Sequence, residues 1–138
     1  MAYRVRKVNY CKLMVSSRAG QGEKVLSSIR EAGISMQAFS GFPVGGGRAQ
    51  VDLVSDDIVS IRRLAKKESW RLSDTKKAFL VQGGDEVGAI HKVIKRLADE
   101  KINITAANAV AAAGGRYGMI MWVKPKDYRK ATRVLNAK

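Results

Sequence analysis

Helix-like and strand-like spacings of apolar residues alternate along this chain. Apolar residues recur every three to four positions most clearly over residues 89–100, which predicts a helix there. The same spacing predicts helices over 21–32, 57–67 and 126–135. Gly33 follows the first of these helices, at a position where a terminating glycine is typical. The pattern therefore predicts four amphipathic helices, each with one face turned to a core.

Strands are predicted between these helices, where apolar and polar residues alternate or where a short apolar run is bounded by turn residues. Residues 34–42 show the alternation, and a glycine-rich turn over 43–47 separates them from the next strand. A second glycine-rich segment, residues 83–88, joins a strand to a helix. The predicted strands cover residues 9–16, 34–42, 48–54 and 70–73 in the first half, and 77–82, 102–110 and 117–123 in the second half.

An internal repeat relates the two halves of the chain. An offset of 68 residues places Gly20 on Gly88, and Gly46-Gly47-Arg48 on Gly114-Gly115-Arg116. Apolar positions also coincide, but any two amphipathic helices can be aligned in that way. The glycines, at a helix start and again in a turn, make coincidence a poor explanation.

The repeat predicts an α+β protein with two ferredoxin-like βαββαβ units in tandem, residues 9–75 and 76–138. Each unit should have an antiparallel sheet of order 4-1-3-2 with its helices on one face. Only residues 136–138 follow the last predicted helix, so the second unit lacks a full closing strand. We therefore expect a homodimer, because a unit of about 65 residues buries little area alone.

Charge is the unusual feature of the composition. The 138 residues include 26 Lys and Arg against 12 Asp and Glu, a net charge of +14, which raises the expectation of an anionic partner. The charge is spread, with +6 on residues 1–69 (12 basic, 6 acidic) and +8 on residues 70–138 (14 basic, 6 acidic). The longest uncharged stretch, residues 32–47, is too short to span a bilayer as a helix. We expect a cytoplasmic protein with no membrane partner.

Catalytic and metal chemistry find little support in the sequence. Cys11 is the one cysteine and His91 the one histidine, so one chain can form neither an intramolecular disulfide nor a multi-His/Cys metal cluster. The two residues fall in different copies, which argues against a Cys–His dyad. The segment 83–88 lacks the spacing of a phosphate-binding fingerprint. We therefore predict no catalytic residues, no metal and no cofactor, and hence no enzyme.

Two short motifs stand out in the second copy. Asp85-Glu86-Val87-Gly88 lies between the first strand and the helix, and Ile102-Asn103-Ile104 begins the second strand. Together they resemble the signature of the ACT domain, a ferredoxin-like regulatory module that binds amino acids or other small ligands. Val87 stands where the family often has proline, and in the first copy Ser17 replaces the acid and Ser35 the asparagine. The resemblance implies a regulatory module whose target, an enzyme or a regulator, is a separate protein.

The resemblance also implies a site for a small ligand, an amino acid, at the interface between the two domains. The ligand's carboxylate would accept from the N–H groups of Val87, Gly88 and Ala89 at the helix start, Asp85 would bind its ammonium group, and Asn103 would fix its orientation. The implied ligand-binding residues are Gly84, Asp85, Glu86, Val87, Gly88, Asn103 and Ile104 in the second copy, and Arg18, Gly20, Ser35 and Met36 at a weaker site in the first. A simpler interpretation stays open, in which Asp85 only caps the helix and Asn103 only satisfies backbone groups at the strand end.

Two other functions stay open. One is a basic RNA-binding protein, because the RNA-recognition motif shares the βαββαβ topology and stacks bases on aromatic side chains of its sheet. Residues 115–122 match that motif at Tyr117 and Trp122 but have Met119 at its central aromatic position. The other is an assembly or scaffolding module without a ligand.

Overall fold

The computed structural model describes residues 3–138, which form six strands and four helices. The strands are β1 (Tyr3–Ser16), β2 (Ala38–Gly45), β3 (Arg48–Val54), β4 (Lys76–Gly84), β5 (Ile104–Ala112) and β6 (Arg116–Val123). The helices are α1 (Gln21–Glu31), α2 (Ile58–Glu68), α3 (Ala89–Asp99) and α4 (Pro125–Val134). Antiparallel strands combined with separate helices confirm the predicted α+β class. None of the described helices is long and apolar enough to cross a membrane.

The chain forms two compact units, and β1 contributes to both. Residues 9–76 form the inserted unit, and residues 3–8 together with 77–138 form the flanking unit. Within the flanking unit the strand order is β1-β4-β6-β5, which is the predicted order 4-1-3-2. The segment 3–8 therefore supplies the closing strand that the second copy lacks at its own end. The missing closing strand was the reason to expect a homodimer, and the structure removes that reason.

In the inserted unit both helices cover one face of a sheet of order β2-β3-β1. The strand predicted over 70–73 is reduced to a single bridge between Leu13 and Leu72. Leu26, which follows the buried Val25 in α1, is more than a third exposed. The buried core of this unit consists of Leu13, Val25, Ile29, Ile34, Val51, Leu53, Ile61 and Leu64.

The flanking unit has the larger core, again between one sheet face and two helices. Phe79 is fully buried in β4, and its ring stacks on Tyr128 of α4 with centroids 4.4 Å apart. The Tyr128 hydroxyl donates to the carbonyl of Ala78 at 2.9 Å, and burial raises its pKa to about 12. The core consists of Val5, Phe79, Val81, Ala89, Val93, Leu97, Ile102, Tyr117, Met119, Met121, Val123, Ala131 and Leu135.

The end of α1 explains why the predicted second strand begins too early. The N–H of Gly33 donates to the carbonyl of Arg30, and the N–H of Ile34 donates to that of Ile29. This is the Schellman arrangement, and it needs the positive φ of 71° that Gly33 adopts. Because the backbone of Ile34 is hydrogen-bonded to the helix, β2 begins only at Ala38. Ile34, predicted as the first residue of a strand, is therefore a buried loop residue.

The end of α3 repeats this geometry 68 residues later, without a glycine. The N–H of Lys101 donates to Ala98, and the N–H of Ile102 donates to Leu97. Lys101 adopts a φ of 59°, which favours glycine. As in the first copy, the following strand starts late, at Ile104 and not at residue 102.

We expect Lys101→Gly to stabilise the protein by about 0.5–1 kcal/mol, because glycine adopts this conformation without steric cost. The reciprocal change, Gly33→Lys, should cost about 1 kcal/mol at the matching position. Urea unfolding of both variants measures the two effects. If both substitutions changed the free energy of unfolding in the same direction, this explanation would be wrong.

Candidate functional site

The loop between β4 and α3 is shorter than predicted, because β4 extends to Gly84. The N–H of Asp85 donates to the carbonyl of Gly115 at 3.0 Å, which fixes the loop to the turn between β5 and β6. Gly88, with a φ of 82°, is the N-cap of α3, and no side chain caps this helix. Asp85 therefore does not cap α3, and the simpler interpretation of this residue is wrong.

The loop carries one acidic side chain open to solvent and one that is half-buried. Asp85 is exposed, whereas Glu86 is half-buried and lies 3.9 Å from the Lys92 ammonium group. The N–H of Ala89 donates to the carbonyl of Glu86 at 3.0 Å, so it is not available to a ligand. Two of the three predicted donors, the N–H groups of Val87 and Gly88, remain candidates at this helix start.

A buried hydroxyl lies beside this loop, and sequence reasoning missed it. Tyr117 pairs with Gly83 across β4 and β6 and is only 4% exposed, yet its hydroxyl has no hydrogen-bond partner among the described residues. Burial raises the pKa of the Tyr117 phenol, with further contributions from Tyr3 and from the negative charge of Glu86. A buried polar group without a partner is uncommon in native proteins and requires an explanation.

The matching loop of the inserted unit has the same hydrogen bonds. The N–H of Ser17 donates to Gly47 at 2.9 Å, and the N–H of Gln21 donates to Arg18 at 3.3 Å. Gly20 is an N-cap with a φ of 89°, again without a side-chain cap. The two loops therefore share backbone geometry, but only the flanking unit places a carboxylate, that of Asp85, beside it.

The flanking unit does not bring Asn103 and Ile104 to the Asp85 loop. β6 pairs its first residue, Arg116, with Gly84, whereas Ile104 pairs with Val123 at the far end of β6. Seven steps of extended strand separate these ends, about 23 Å. Asn103, exposed just before β5, therefore lies at the opposite end of this sheet from Asp85.

The same separation holds in the inserted unit. Ser35 and Met36 precede β2, whose first residue pairs with Val54, while Arg18 and Gly20 follow the other end of β1. The Ser35 carbonyl accepts from the Ser55 hydroxyl at 2.7 Å, and Met36 packs against the core. Neither residue is near the loop with which it was grouped in the prediction.

Asp52 is a buried carboxyl that sequence reasoning also missed. It is 4% exposed and accepts a hydrogen bond of 2.9 Å from the side chain of Gln50. Burial raises the pKa of the Asp52 carboxyl, while the hydrogen bond and the positive charge of Lys12 oppose that rise.

The other chemical candidates are placed less favourably. Cys11 is buried and its Sγ accepts from the Arg62 guanidinium at 3.2 Å, whereas His91 is exposed. Tyr117 and Trp122 are both buried, so neither ring offers a face on which a base could stack. Among residues 3–138, no group of three or more His, Cys, Asp or Glu side chains is arranged to hold a metal ion.

Several solved structures share this fold. A protein from Bacteroides thetaiotaomicron matches with a TM-score of 0.77 at 16% identity, over 97% of this chain and 88% of that chain. Aspartokinase alpha and beta subunits match with a TM-score of 0.65 at 16% identity, over 99% and 95%. The ligand-free regulatory subunit of aspartate kinase from Thermus thermophilus matches with a TM-score of 0.61 at 14% identity, over 98% and 93%.

These similarities show an ACT-like fold and, at such low identity, the fold alone. No protein-family model matches the sequence. No curated protein matches it either.

Proposed function

We propose that this chain is a non-catalytic regulatory module that binds an amino acid at the Asp85 loop of the flanking unit. The observation that carries the proposal is the unpartnered, buried hydroxyl of Tyr117 beside a helix start that no side chain caps. The fold adds support, because its neighbours include a structure described as the regulatory subunit of aspartate kinase. The target is an enzyme or a regulator.

The chemistry of the loop suits the two charges of an amino acid. The positive end of the α3 dipole and the N–H groups of Val87 and Gly88 attract a carboxylate. The exposed carboxylate of Asp85 accepts hydrogen bonds from an ammonium group. The inserted unit has Ser17 in place of Asp85, so its loop lacks the anionic partner and binds more weakly.

A screen first identifies the amino acid that raises the melting temperature of the protein most. Titration of the Asp85→Asn variant with that amino acid then tests the role of Asp85. Loss of a charge-assisted hydrogen bond should weaken binding at least about tenfold. The melting temperature without ligand should stay unchanged, because Asp85 caps nothing.

The matched control is Asp99→Asn, which removes an exposed carboxylate paired with Lys95 at the other end of α3. It should leave affinity unchanged. If Asp85→Asn binds as well as the unmodified protein, Asp85 has no role. If no amino acid raises the melting temperature, the proposed ligand class is wrong.

A further inference from the structure

The flanking unit has a concave surface, here called the basic groove, with a volume of about 550 Å³. The residues that line it include the cationic Lys92, Arg96 and Lys138, together with Tyr3 and the buried Val5 and Leu135. No acidic side chain lines the groove among residues 3–138. Several cations around one concave surface are suited to an anion.

Arg96 is held in place from two sides. Its Nη1 donates to the Tyr3 hydroxyl at 2.7 Å, and its Nη2 donates to the carbonyl of Val134. A guanidinium has five N–H donors, so two bonds fix its plane and leave donors for an oxyanion. The groove thus contains an arginine whose orientation is already set before a ligand arrives.

Two further contacts involve residues that line the groove. Lys92 lies one turn before Arg96 on the same face of α3, and its nearest acidic partner, Glu86, is 3.9 Å away. The N–H of Lys138 donates to the carbonyl of Val5 at 3.1 Å, which holds the chain after α4 against β1. The groove is built from three segments that backbone and side-chain hydrogen bonds join.

The two units differ in charge more than the halves of the sequence do. Residues 3–8 and 77–138 carry 15 basic and 5 acidic side chains, a net +10, whereas residues 9–76 carry 11 and 7, a net +4. The positive potential that attracts an anion is therefore concentrated on the unit that contains the groove.

We propose that the basic groove binds a small phosphate-bearing molecule, as a site separate from the Asp85 loop. Its phosphate oxygens accept from Arg96 and Lys92. Arginine and lysine are the usual phosphate ligands of proteins, and the volume falls in the range of small-molecule sites. A nucleic-acid backbone would instead use cations spread over a larger surface.

Amide NMR and calorimetric titration of the full chain with inorganic pyrophosphate, at about 0.15 M salt, test the site. We expect shift changes confined to residues 3–6, 92–96 and 134–138. In the Lys92→Gln/Lys138→Gln double variant, pyrophosphate affinity should fall at least about tenfold. Both side chains are exposed, so folding should be preserved.

The control is Lys126→Gln/Arg129→Gln, which removes the same charge from exposed positions of α4 outside the groove. It should change affinity less than about twofold. A second variant, Arg96→Lys, keeps the charge and should still weaken binding, because lysine cannot replace the fixed guanidinium.

Three outcomes would overturn the proposal. The first is that pyrophosphate does not bind to the unmodified protein. The second is that the two double variants lose pyrophosphate affinity equally. The third is tight binding of a short single-stranded RNA with shift changes spread over α4, which would indicate a general polyanion surface. Asp85→Asn should leave pyrophosphate affinity unchanged, so the groove and the amino-acid site can fail independently.

Discussion

Phe79→Ala should reduce the free energy of unfolding of the flanking unit by about 3–5 kcal/mol. Phe79 is fully buried at the centre of β4, and its ring lies 4.4 Å from the ring of Tyr128 with an interplanar angle of 7°. Truncation removes the transfer free energy of the ring and leaves a cavity between β4 and α4. The stacking contact with Tyr128 is lost as well.

The measurement must report on the flanking unit alone, because two units can unfold in separate transitions. The chain has two tryptophans, Trp70 in the inserted unit and the buried Trp122 in the flanking unit. In a Trp70→Phe background, tryptophan fluorescence during urea unfolding follows Trp122 only. Val87→Ala, at a fully exposed side chain, is the control and should change stability by less than about 0.5 kcal/mol. A Phe79→Ala loss no larger than this control would show that Phe79 is not a core residue.

The helices were the most predictable part of the fold, because their periodicity is local. All four lie within one or two residues of the predicted bounds, and α3, with the clearest apolar stripe, ends one residue early. The predicted starts of β2 and β5 lie too early in the chain. The cause is an isoleucine that closes a helix end, because it has the same apolar character as a strand residue. Hydrophobicity alone cannot distinguish these two uses.

The N-terminal half of β1 shows a different limit. Tyr3 and Val5 alternate with Arg4 and Arg6, so the period of a strand was present in the sequence. The sequence does not show that this segment belongs to the second copy, because strand pairing at that separation is decided by packing. The missing closing strand led to the expectation of a dimer, and a non-local pairing removed its basis.

The candidate site was predictable only in part, for a similar reason. The Asp85 loop follows from local glycines and from the repeat. Tyr117 lies beside that loop only because β6, more than thirty residues later in the chain, pairs with β4. The separation of Asn103 from Asp85 follows from α3, which carries the chain back along the sheet so that the next strand starts at its other end.

Gly83→Ala should destabilise the flanking unit by about 1–3 kcal/mol, although Gly83 does not need a positive φ. A Cβ at this position would lie 2.9 Å from the Cβ of Tyr3 and 3.1 Å from the Tyr117 ring. The Tyr3 backbone, whose Cα would be 3.2 Å away, limits how far this neighbour can move. Gly83, predicted as the first residue of the glycine-rich segment 83–88, is thus a close-packing position between β1 and β4.

Gly118→Ala is the matched control, because a Cβ added there would meet no atom within 4 Å. It should change stability by less than about 0.5 kcal/mol, and it can be slightly stabilising since glycine in a strand is unfavourable. The Gly83→Ala penalty should also shrink in a Tyr3→Gly background, where the nearest atom is absent. Equal penalties for Gly83→Ala with and without Tyr3→Gly would contradict the steric explanation, and with it the placement of residues 3–8 as the closing strand of the flanking unit.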